Sequence, residues 1–498
     1  MSVAKKLVGQ TAAYGLSSIV GRALNYLLIP VYTAVFLREE YGIVSYLYSF
    51  TAFFNVVFTY GMETAFFRFA NKEGADRQAL YNRTLTAIIL SSVVFTSIII
   101  LLAAPIADYV GLPHKEEYVV WLAIVLAIDA IVALPFAKLR LENKAIKFAS
   151  IKLANIVITV VANVFFLIIC RDIYQEDYLS GLRPVINTIY DPDFGIGYIF
   201  LINLVANALF IPMLWHEFAS FRFKVDLELL KPMLVYAYPL LLMGVAGVVN
   251  EVIDRILLER LLPENFYPDT STFAAVGVYS ACYKLAIFMT LAIQAFRYAA
   301  EPFFFSQAQD KNSPKAFALV MKWFVIVCAF IFLFISVNLE IFGLFLRDPA
   351  YREGLEVVPV LLLANLFLGV YYNLSIWFKL TDNTKIGTYI TFGGAAITII
   401  FNLLLIPVLG YMGSAVTTFI CYFSMALVCY VLGNRYYPIP YPVKSIVTYI
   451  LLATILVLAA FLIPIENLWL RQGFHLILCG IFAAIIWLRE KPLLLIKN

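Results

Sequence analysis

Charge is scarce in this chain of 498 residues, and so are the residue types that usually build catalytic or metal sites. Asp, Glu, Lys and Arg together make up 14% of the sequence, whereas a typical soluble domain carries about 25%. The three histidines and six cysteines do not have metal-ligand spacing, and no glycine-rich phosphate loop occurs. These absences exclude a P-loop ATPase and argue against a metalloenzyme.

Apolar residues are abundant and fall in long runs. They form 63% of the chain, and a run of about 20 is enough for a helix to cross the hydrocarbon core of a bilayer. The longest polar stretches, 171–194 and 218–232, are too short to fold alone. We therefore predict an all-α polytopic membrane protein with fourteen transmembrane helices. The predicted spans are 10–36, 41–62, 79–104, 118–137, 149–170, 195–215, 233–257, 274–300, 316–345, 355–378, 385–408, 411–433, 444–464 and 470–488.

The distribution of Lys and Arg between connectors predicts the orientation. Alternate connectors hold most of these residues, including the run from Lys138 to Lys152 and Lys322, and they outnumber those of the other connectors roughly three to one. Cytoplasmic loops carry the excess of positive charge. Both termini are therefore expected in the cytoplasm.

A weak internal repeat suggests how the spans are grouped. Span 1 ends in a Tyr- and Pro-containing segment, 26–32, and span 7 carries a similar one at 238–242. Both spans run outward, so the repeat is parallel. It predicts two pseudo-symmetric six-helix lobes, 1–217 and 218–435, followed by two additional C-terminal helices in 436–498.

Ionisable residues in or at the rim of the spans are concentrated in spans 1, 2, 7 and 8. Such residues are costly in hydrocarbon and usually face one another or a water-filled cavity. This set contains Arg22, Glu63, Arg68, Glu251, Asp254, Arg255 and Lys284, and Asn25 lies one helical turn after Arg22.

Several segments resemble the polysaccharide transporters of the multidrug/oligosaccharidyl-lipid/polysaccharide exporter superfamily. The most specific segment combines Asn402, Pro407, Gly410, Gly413 and Ala415 in that family's order. The other matching segments are 15–22, 41–42, 61–68, 238–239 and 254–255. The resemblance covers the whole chain and implies an oligosaccharide flippase in which spans 1, 2, 7 and 8 line a central cavity that works by alternating access.

The resemblance implies that the cargo is an anionic lipid, a polyprenyl pyrophosphate that carries sugars, and that the charged residues within the spans bind this cargo or a coupling ion. Guanidinium groups suit phosphate geometry. The candidates for binding the pyrophosphate or lining the cavity are Arg22, Asn25, Arg255, Lys284 and Arg68. The candidates for binding a coupling proton or sodium ion are Glu63, Asp254 and Glu251. Pro30 and Pro239 occupy comparable places in the two halves and are hinge candidates.

Structural roles remain open for the same residues. Glu63 could pair with Arg68, and Glu251 is a ready partner for Arg255 one turn later. Asp129 of span 4 lies away from the four cavity helices and is interpreted as an interhelical hydrogen-bonding group in preference to an ion site.

The leading functional prediction is a flippase that moves polyprenyl-pyrophosphate-linked oligosaccharide repeat units across a bacterial cytoplasmic (inner) membrane for surface polysaccharide biosynthesis. The alternatives in the same class are a peptidoglycan lipid-precursor flippase and a drug or small-molecule antiporter. A membrane-embedded polymerase is disfavoured because the longest outer loop, 171–194, holds no histidine. No cofactor or metal is expected, and the transporter is expected to be a monomer. The expected partners are membrane lipids, a polysaccharide polymerase and glycosyltransferases. Nucleic acid is not expected as a partner.

Overall fold

The structure, a computed structural model, describes residues 20–495 except 22, 25, 176–178, 308–312 and 382. Within these residues there is no β-strand, and helices succeed one another through short connectors, which confirms the all-α membrane fold. The chain divides into two compact units, Met1–Glu259 and Arg260–Asn498. Two compact units do not by themselves indicate an internal repeat. The predicted lobe boundaries at 217/218 and 435/436 therefore stay predictions.

The first unit is built from a series of helices that we number in chain order. They are α1 Leu28–Val35, α2 Arg38–Thr59, α3 Met62–Ala70, α4 Arg77–Leu101, α5 Ala103–Tyr109, α6 Glu116–Leu141, α7 Ala145–Val164, α8 Arg171–Tyr174, α9 Arg183–Ile186, α10 Gly197–Ala208, α11 Phe210–Met213, α12 Trp215–Ala219 and α13 Leu227–Leu261. A π-helix, Phe165–Cys170, joins α7 to α8.

The second unit continues the series. Its helices are α14 Thr272–Leu285, α15 Ile287–Gln307, α16 Ser313–Val337, α17 Leu339–Gly343, α18 Val357–Leu374, α19 Ile376–Leu380, α20 Thr384–Leu409, α21 Tyr411–Tyr436, α22 Val443–Leu462 and α23 Leu468–Leu495.

Among the described residues, eleven helical stretches are long and apolar enough to cross a membrane, and a twelfth is the pair α14 and α15, bent by 46°. The predicted span 195–215 corresponds to a shorter apolar helix, Gly197–Met213. The predicted span 10–36 lies largely outside the described residues. The protein is therefore a multi-pass membrane protein, while the count of fourteen and the cytoplasmic placement of both termini remain predictions.

A glycine interrupts the second predicted span and sets the direction of helix α3. Tyr60 and Gly61 both have positive φ, 32° and 74°, so the chain turns between α2 and α3. A Cβ atom on Gly61 would lie 3.0 Å from both the Ala237 carbonyl oxygen and the Leu240 Cβ of α13. Glycine thus allows this turn to pack directly against α13, and α3 leaves the turn alongside that helix.

A second glycine makes the corner between α20 and α21 out of a single residue. Gly410 has φ 57° and ψ −138°, a conformation open to glycine alone. The Tyr267 ring stacks on Tyr411 with centroids 4.4 Å apart, and the Tyr267 oxygen accepts a hydrogen bond from the Tyr411 amide. A Cβ on Gly410 would lie within 2.2 Å of that oxygen. Burial raises the pKa of Tyr267 to about 12, so the phenol stays neutral.

Candidate functional site

The last turns of α13 hold a buried ion pair formed by two of the predicted site residues. Arg255 Nη1 lies 2.8 Å from Asp254 Oδ1, and the two residues are 8% and 4% exposed. The backbone amide of Arg255 also donates to the Asp254 carboxylate, at 2.9 Å. Since neighbouring helix positions rarely face each other, this pair exists because the guanidinium folds back along its own helix.

The partner of Arg255 differs from the one expected. The sequence suggests the Glu251 carboxylate one turn earlier, but the guanidinium donates to the Glu251 backbone carbonyl at 2.5 Å. The Glu251 side chain is exposed. The expectation that Glu251 supplies the carboxylate partner is therefore wrong, because the nearer Asp254 already occupies the guanidinium.

Helix α3 carries two further predicted residues beside α13. Arg68 is exposed, with its guanidinium 4.2 Å from the centre of the Tyr236 ring of α13. Glu63 forms an ion pair with Arg140 of α6. The expected Glu63–Arg68 pair is wrong: the turn at Gly61 places Glu63 near the end of α6, while Arg68 faces α13.

The remaining predicted site residues are two in span 1, one in α14 and the two hinge prolines. Arg22 and Asn25 lie outside the described residues. Lys284 is half-buried in the last turn of α14, in the second unit. Pro30 lies within α1, and Pro239 lies within the continuous 35-residue helix α13. Bending at either proline stays a prediction.

Asp129 of α6 does not make the interhelical hydrogen bond expected of it. In the described part of the chain its carboxylate has no hydrogen-bond partner, and its electrostatic neighbour is Lys152 of α7. The Lys152 ammonium lies 4.3 Å from the centre of the Phe136 ring and 4.9 Å from that of Phe210. The first unit therefore holds a carboxylate and an ammonium among apolar helices, with aromatic rings beside the ammonium.

Two uncharged polar bonds between helices of the first unit involve asparagine side chains. The Tyr32 hydroxyl of α1 donates to Asn163 of α7 at 3.0 Å. The amide of Asn155, also on α7, donates to the Ala206 carbonyl of α10 at 2.7 Å. These bonds link three helices without charge.

At the end of the first unit that is predicted to be cytoplasmic, many basic residues have partners. Lys147 is 2.8 Å from the carboxylate of Glu217, which is 3% exposed, and Arg83 is 2.8 Å from Asp226. Beside Arg83 lies an open cavity of about 610 Å³. Its charged and amide side chains are of both signs: Lys72, Glu73, Asp76, Gln78, Asn82, Arg83 and Lys224. This balance does not favour an anion over a cation.

The second unit contains a buried charged triad that sequence reasoning missed. Lys322 Nζ of α16 lies 2.5 Å from Glu490 Oε2 of α23, and the Tyr449 hydroxyl of α22 donates to Glu490 Oε1 at 2.7 Å. The three residues are 6%, 4% and 1% exposed. The assignment of Lys322 to a cytoplasmic connector is wrong, because the helix begins at Ser313 and Lys322 lies more than two turns inside it.

Chemically, the described residues provide arginine–carboxylate pairs and no cluster of three or more His, Cys, Asp or Glu residues able to hold a metal ion. A guanidinium bound to a carboxylate can exchange that carboxylate for a phosphate oxygen, which it binds with the same planar geometry. Asp254–Arg255 joins two predicted site residues, and Glu63–Arg140 joins one predicted site residue to an arginine that was not predicted.

Comparison with known proteins gives the fold and a partial family match. A family model described as "Polysaccharide biosynthesis protein" matches residues 35–174. No curated protein matches the chain. Among solved structures, the chain is similar to the lipid II flippase MurJ in an inward closed conformation, with a TM-score of 0.71 and 13% identity over 95% of this chain and 98% of that one.

The fold is also similar to that of multidrug transporters. An inward-facing multidrug resistance MATE family transporter of the MOP superfamily gives a TM-score of 0.56 and 15% identity over 83% of this chain and 93% of that one. A MATE structure in the bent conformation gives 0.55 and 14% over 91% and 99%. The family model over residues 35–174 supports the resemblance to polysaccharide exporters drawn from the sequence, and the solved structures show that the fold is that of MurJ and MATE transporters.

Proposed function

We propose that this protein is a flippase that moves polyprenyl-pyrophosphate-linked oligosaccharide units from the inner to the outer leaflet of a bacterial cytoplasmic membrane by alternating access. The observation that carries the proposal is the difference between the fold matches: the TM-score is 0.71 to a lipid II flippase and 0.56 to a multidrug transporter. The family model for polysaccharide biosynthesis over residues 35–174 supports a sugar-bearing cargo.

Arg255 is the residue to which we assign the pyrophosphate. It lies in a helix that crosses the membrane, and it is held by Asp254 and by the Glu251 carbonyl. A buried charge of this kind needs a compensating anion. The cargo phosphate and the Asp254 carboxylate would therefore compete for one guanidinium.

This competition supplies a route to ion coupling. A proton or sodium ion on Asp254 neutralises the carboxylate and frees Arg255 for phosphate; release of the ion restores the pair and expels the cargo. Glu63 and Arg140 offer the same exchange near the end of α6. We assign Arg22, Asn25, Arg68 and Lys284 to the cavity as additional cationic or amide contacts, on the basis of the family resemblance.

The test measures lipid-linked sugars on each face of the membrane after the native protein is replaced by variants. Arg255→Gln should strand complete oligosaccharide units on the inner leaflet, and Asp254→Asn should remove the dependence of transport on the ion gradient. Arg83→Gln is the matched control, since it breaks an arginine–aspartate pair of the same 2.8 Å length between α4 and the connector that precedes α13. Normal transport by Arg255→Gln at wild-type abundance would remove that residue from the mechanism.

A peptidoglycan-precursor flippase is the second candidate, favoured by the MurJ fold match itself. The same depletion experiment separates the two. Accumulation of lipid-linked oligosaccharide repeat units supports our proposal, accumulation of peptidoglycan precursor supports the alternative, and normal pools of both would indicate drug or metabolite export. Single units stranded on the outer face would indicate a polymerase.

A further inference from the structure

The connector between α8 and α10 presents an apolar face that the rest of the described first unit leaves uncovered. Leu182, Val185 and Ile189 are 49%, 61% and 50% exposed. Their spacing of three and four residues places them on one side of a helical segment. The positions on the opposite side are Arg183 and Asn187, which are polar.

This segment has a fixed orientation. The Asn187 amide donates to the Arg183 carbonyl at 2.9 Å, and the Tyr190 amide donates to the Ile186 carbonyl at 2.8 Å. Ile186, 6% exposed, packs with Cys170 and Ile173 in a small core. The apolar face is therefore a preformed surface.

Stacked rings continue this small core into α10. The Tyr190 ring stacks on Tyr198 with centroids 5.5 Å apart and an interplanar angle of 7°. Tyr198 in turn stacks on Phe166 at 5.2 Å. The Tyr198 hydroxyl accepts a hydrogen bond from the Asp191 amide at 2.7 Å. Tyrosines are enriched where membrane helices leave the hydrocarbon.

The depth of the segment can be worked out from the preceding helix. From Leu153 to Cys170 the sequence has 18 residues without a charged side chain. At 1.5 Å per residue this length is about 27 Å, close to the thickness of the hydrocarbon core. Arg171 therefore marks the membrane boundary, and Ile186 packs against residues on both sides of it.

We propose that residues 182–189 lie on the lipid surface, with Leu182, Val185 and Ile189 inserted between the headgroups and the acyl chains. The preceding helix α7 also exposes apolar side chains: Val157 and Val161 are 45% and 60% exposed. Amphipathic helical segments bind membrane interfaces through such a face. By the predicted orientation this is the outer leaflet, so the connector anchors α7 and α10 at the outer surface.

The experiment compares a single fluorescent label at two positions. Val185→Cys and Asn187→Cys are each labelled with an environment-sensitive dye in the full-length protein, reconstituted at one copy per nanodisc. All six native cysteines are buried, and the unsubstituted protein gives the background. In nanodiscs that contain lipid with a spin label near the headgroup, we expect the label at 185 to be quenched about threefold more than the label at 187. Aqueous iodide should show the opposite preference.

Three results would overturn the proposal. Equal quenching at the two positions would show that the face stays in water. If the label at 185 is shielded from iodide only in native membranes, the face binds a protein partner. If it is shielded from iodide only in nanodiscs that hold two copies, the face binds a second copy of the chain. If Val185→Cys fails to fold, Leu182→Cys with Arg183→Cys as its control makes the same comparison.

Discussion

Replacing one member of the Lys322–Glu490 pair should destabilise the second unit far more than replacing both. The pair joins α16 to α23, and its side chains are 8% and 6% exposed. Glu490→Gln leaves a buried ammonium without its counter-ion, and Lys322→Met leaves a buried carboxylate bonded only to Tyr449. Breaking a buried pair in this way costs about 3–5 kcal/mol.

The double variant Lys322→Met with Glu490→Leu should behave differently. It removes both charges together, and exchanging a buried ion pair for apolar residues is often neutral or stabilising by about 1–4 kcal/mol. The Tyr449 hydroxyl then loses its acceptor, which costs about 1–3 kcal/mol and leaves the double variant close to the wild type. A matched control is Arg471→Gln. Its ion pair with Glu340 is also made by α23, but the side chains are 27% and 62% exposed, and a pair in such a position contributes about 1 kcal/mol or less.

The native cysteines provide the assay. Cys328 of α16 and Cys479 of α23 are 1% and 7% exposed. In a protein whose other four cysteines are replaced by alanine, a thiol-reactive dye added during heating therefore reports when these helices separate. Both single variants should react at lower temperature than the wild type, and the double variant should react at a temperature closer to that of the wild type than either single variant. Single variants that match the wild type, or a double variant as unstable as the worse single one, would refute the reasoning.

Three other changes test features of the fold and the site. Gly410→Ala should destabilise the corner between α20 and α21 by several kcal/mol, about 1–3 of which come from backbone strain; thermal unfolding should show partial rescue by Tyr267→Ala, and full stability of Gly410→Ala alone would contradict the geometry. Since the pKa of Tyr267 is raised from 10.0 to about 12, its stabilising contribution should be constant up to about pH 10 and disappear as pH rises through 12, which ultraviolet titration of wild type against Tyr267→Phe measures. Glu63→Gln should release Arg140 and reduce the gradient dependence of transport without changing abundance, whereas unchanged dependence in flux measurements would leave Glu63 a structural partner only.

The sequence predicts where the helices lie better than it predicts which charges meet. The run 118–137 corresponds to α6, Glu116–Leu141, because hydrophobicity over 20 residues is a local property. The predicted span 2 ends at 62, next to Gly61, but hydropathy does not show that the chain continues there through a positive φ into helix α3. The Glu63–Arg140 pair is equally invisible, because it depends on that turn and on the approach of a helix distant in the sequence.

Lys322 illustrates the same limit in another way. The orientation of the spans is predicted by counting Lys and Arg near their ends. A lysine close to the start of a helix enters that count whether its side chain faces water or a buried carboxylate. Only the packing of α22 and α23 against α16 brings Glu490 and Tyr449 to it. Even a partner that is close in sequence is not identified by spacing alone: Glu251 lies one turn before Arg255, yet the adjacent Asp254 forms the ion pair.

The corner at Gly410 bears on how relatives of this protein are found. Its backbone admits only glycine, and the Tyr267 ring fills the space a side chain would need. Within the stretch from Asn402 to Ala415, by which the chain is most easily recognised, the glycine at 410 is thus fixed by backbone geometry, whichever molecule the protein transports. A relative identified by this glycine therefore shares the corner between α20 and α21, and the match by itself carries no information on the transported molecule.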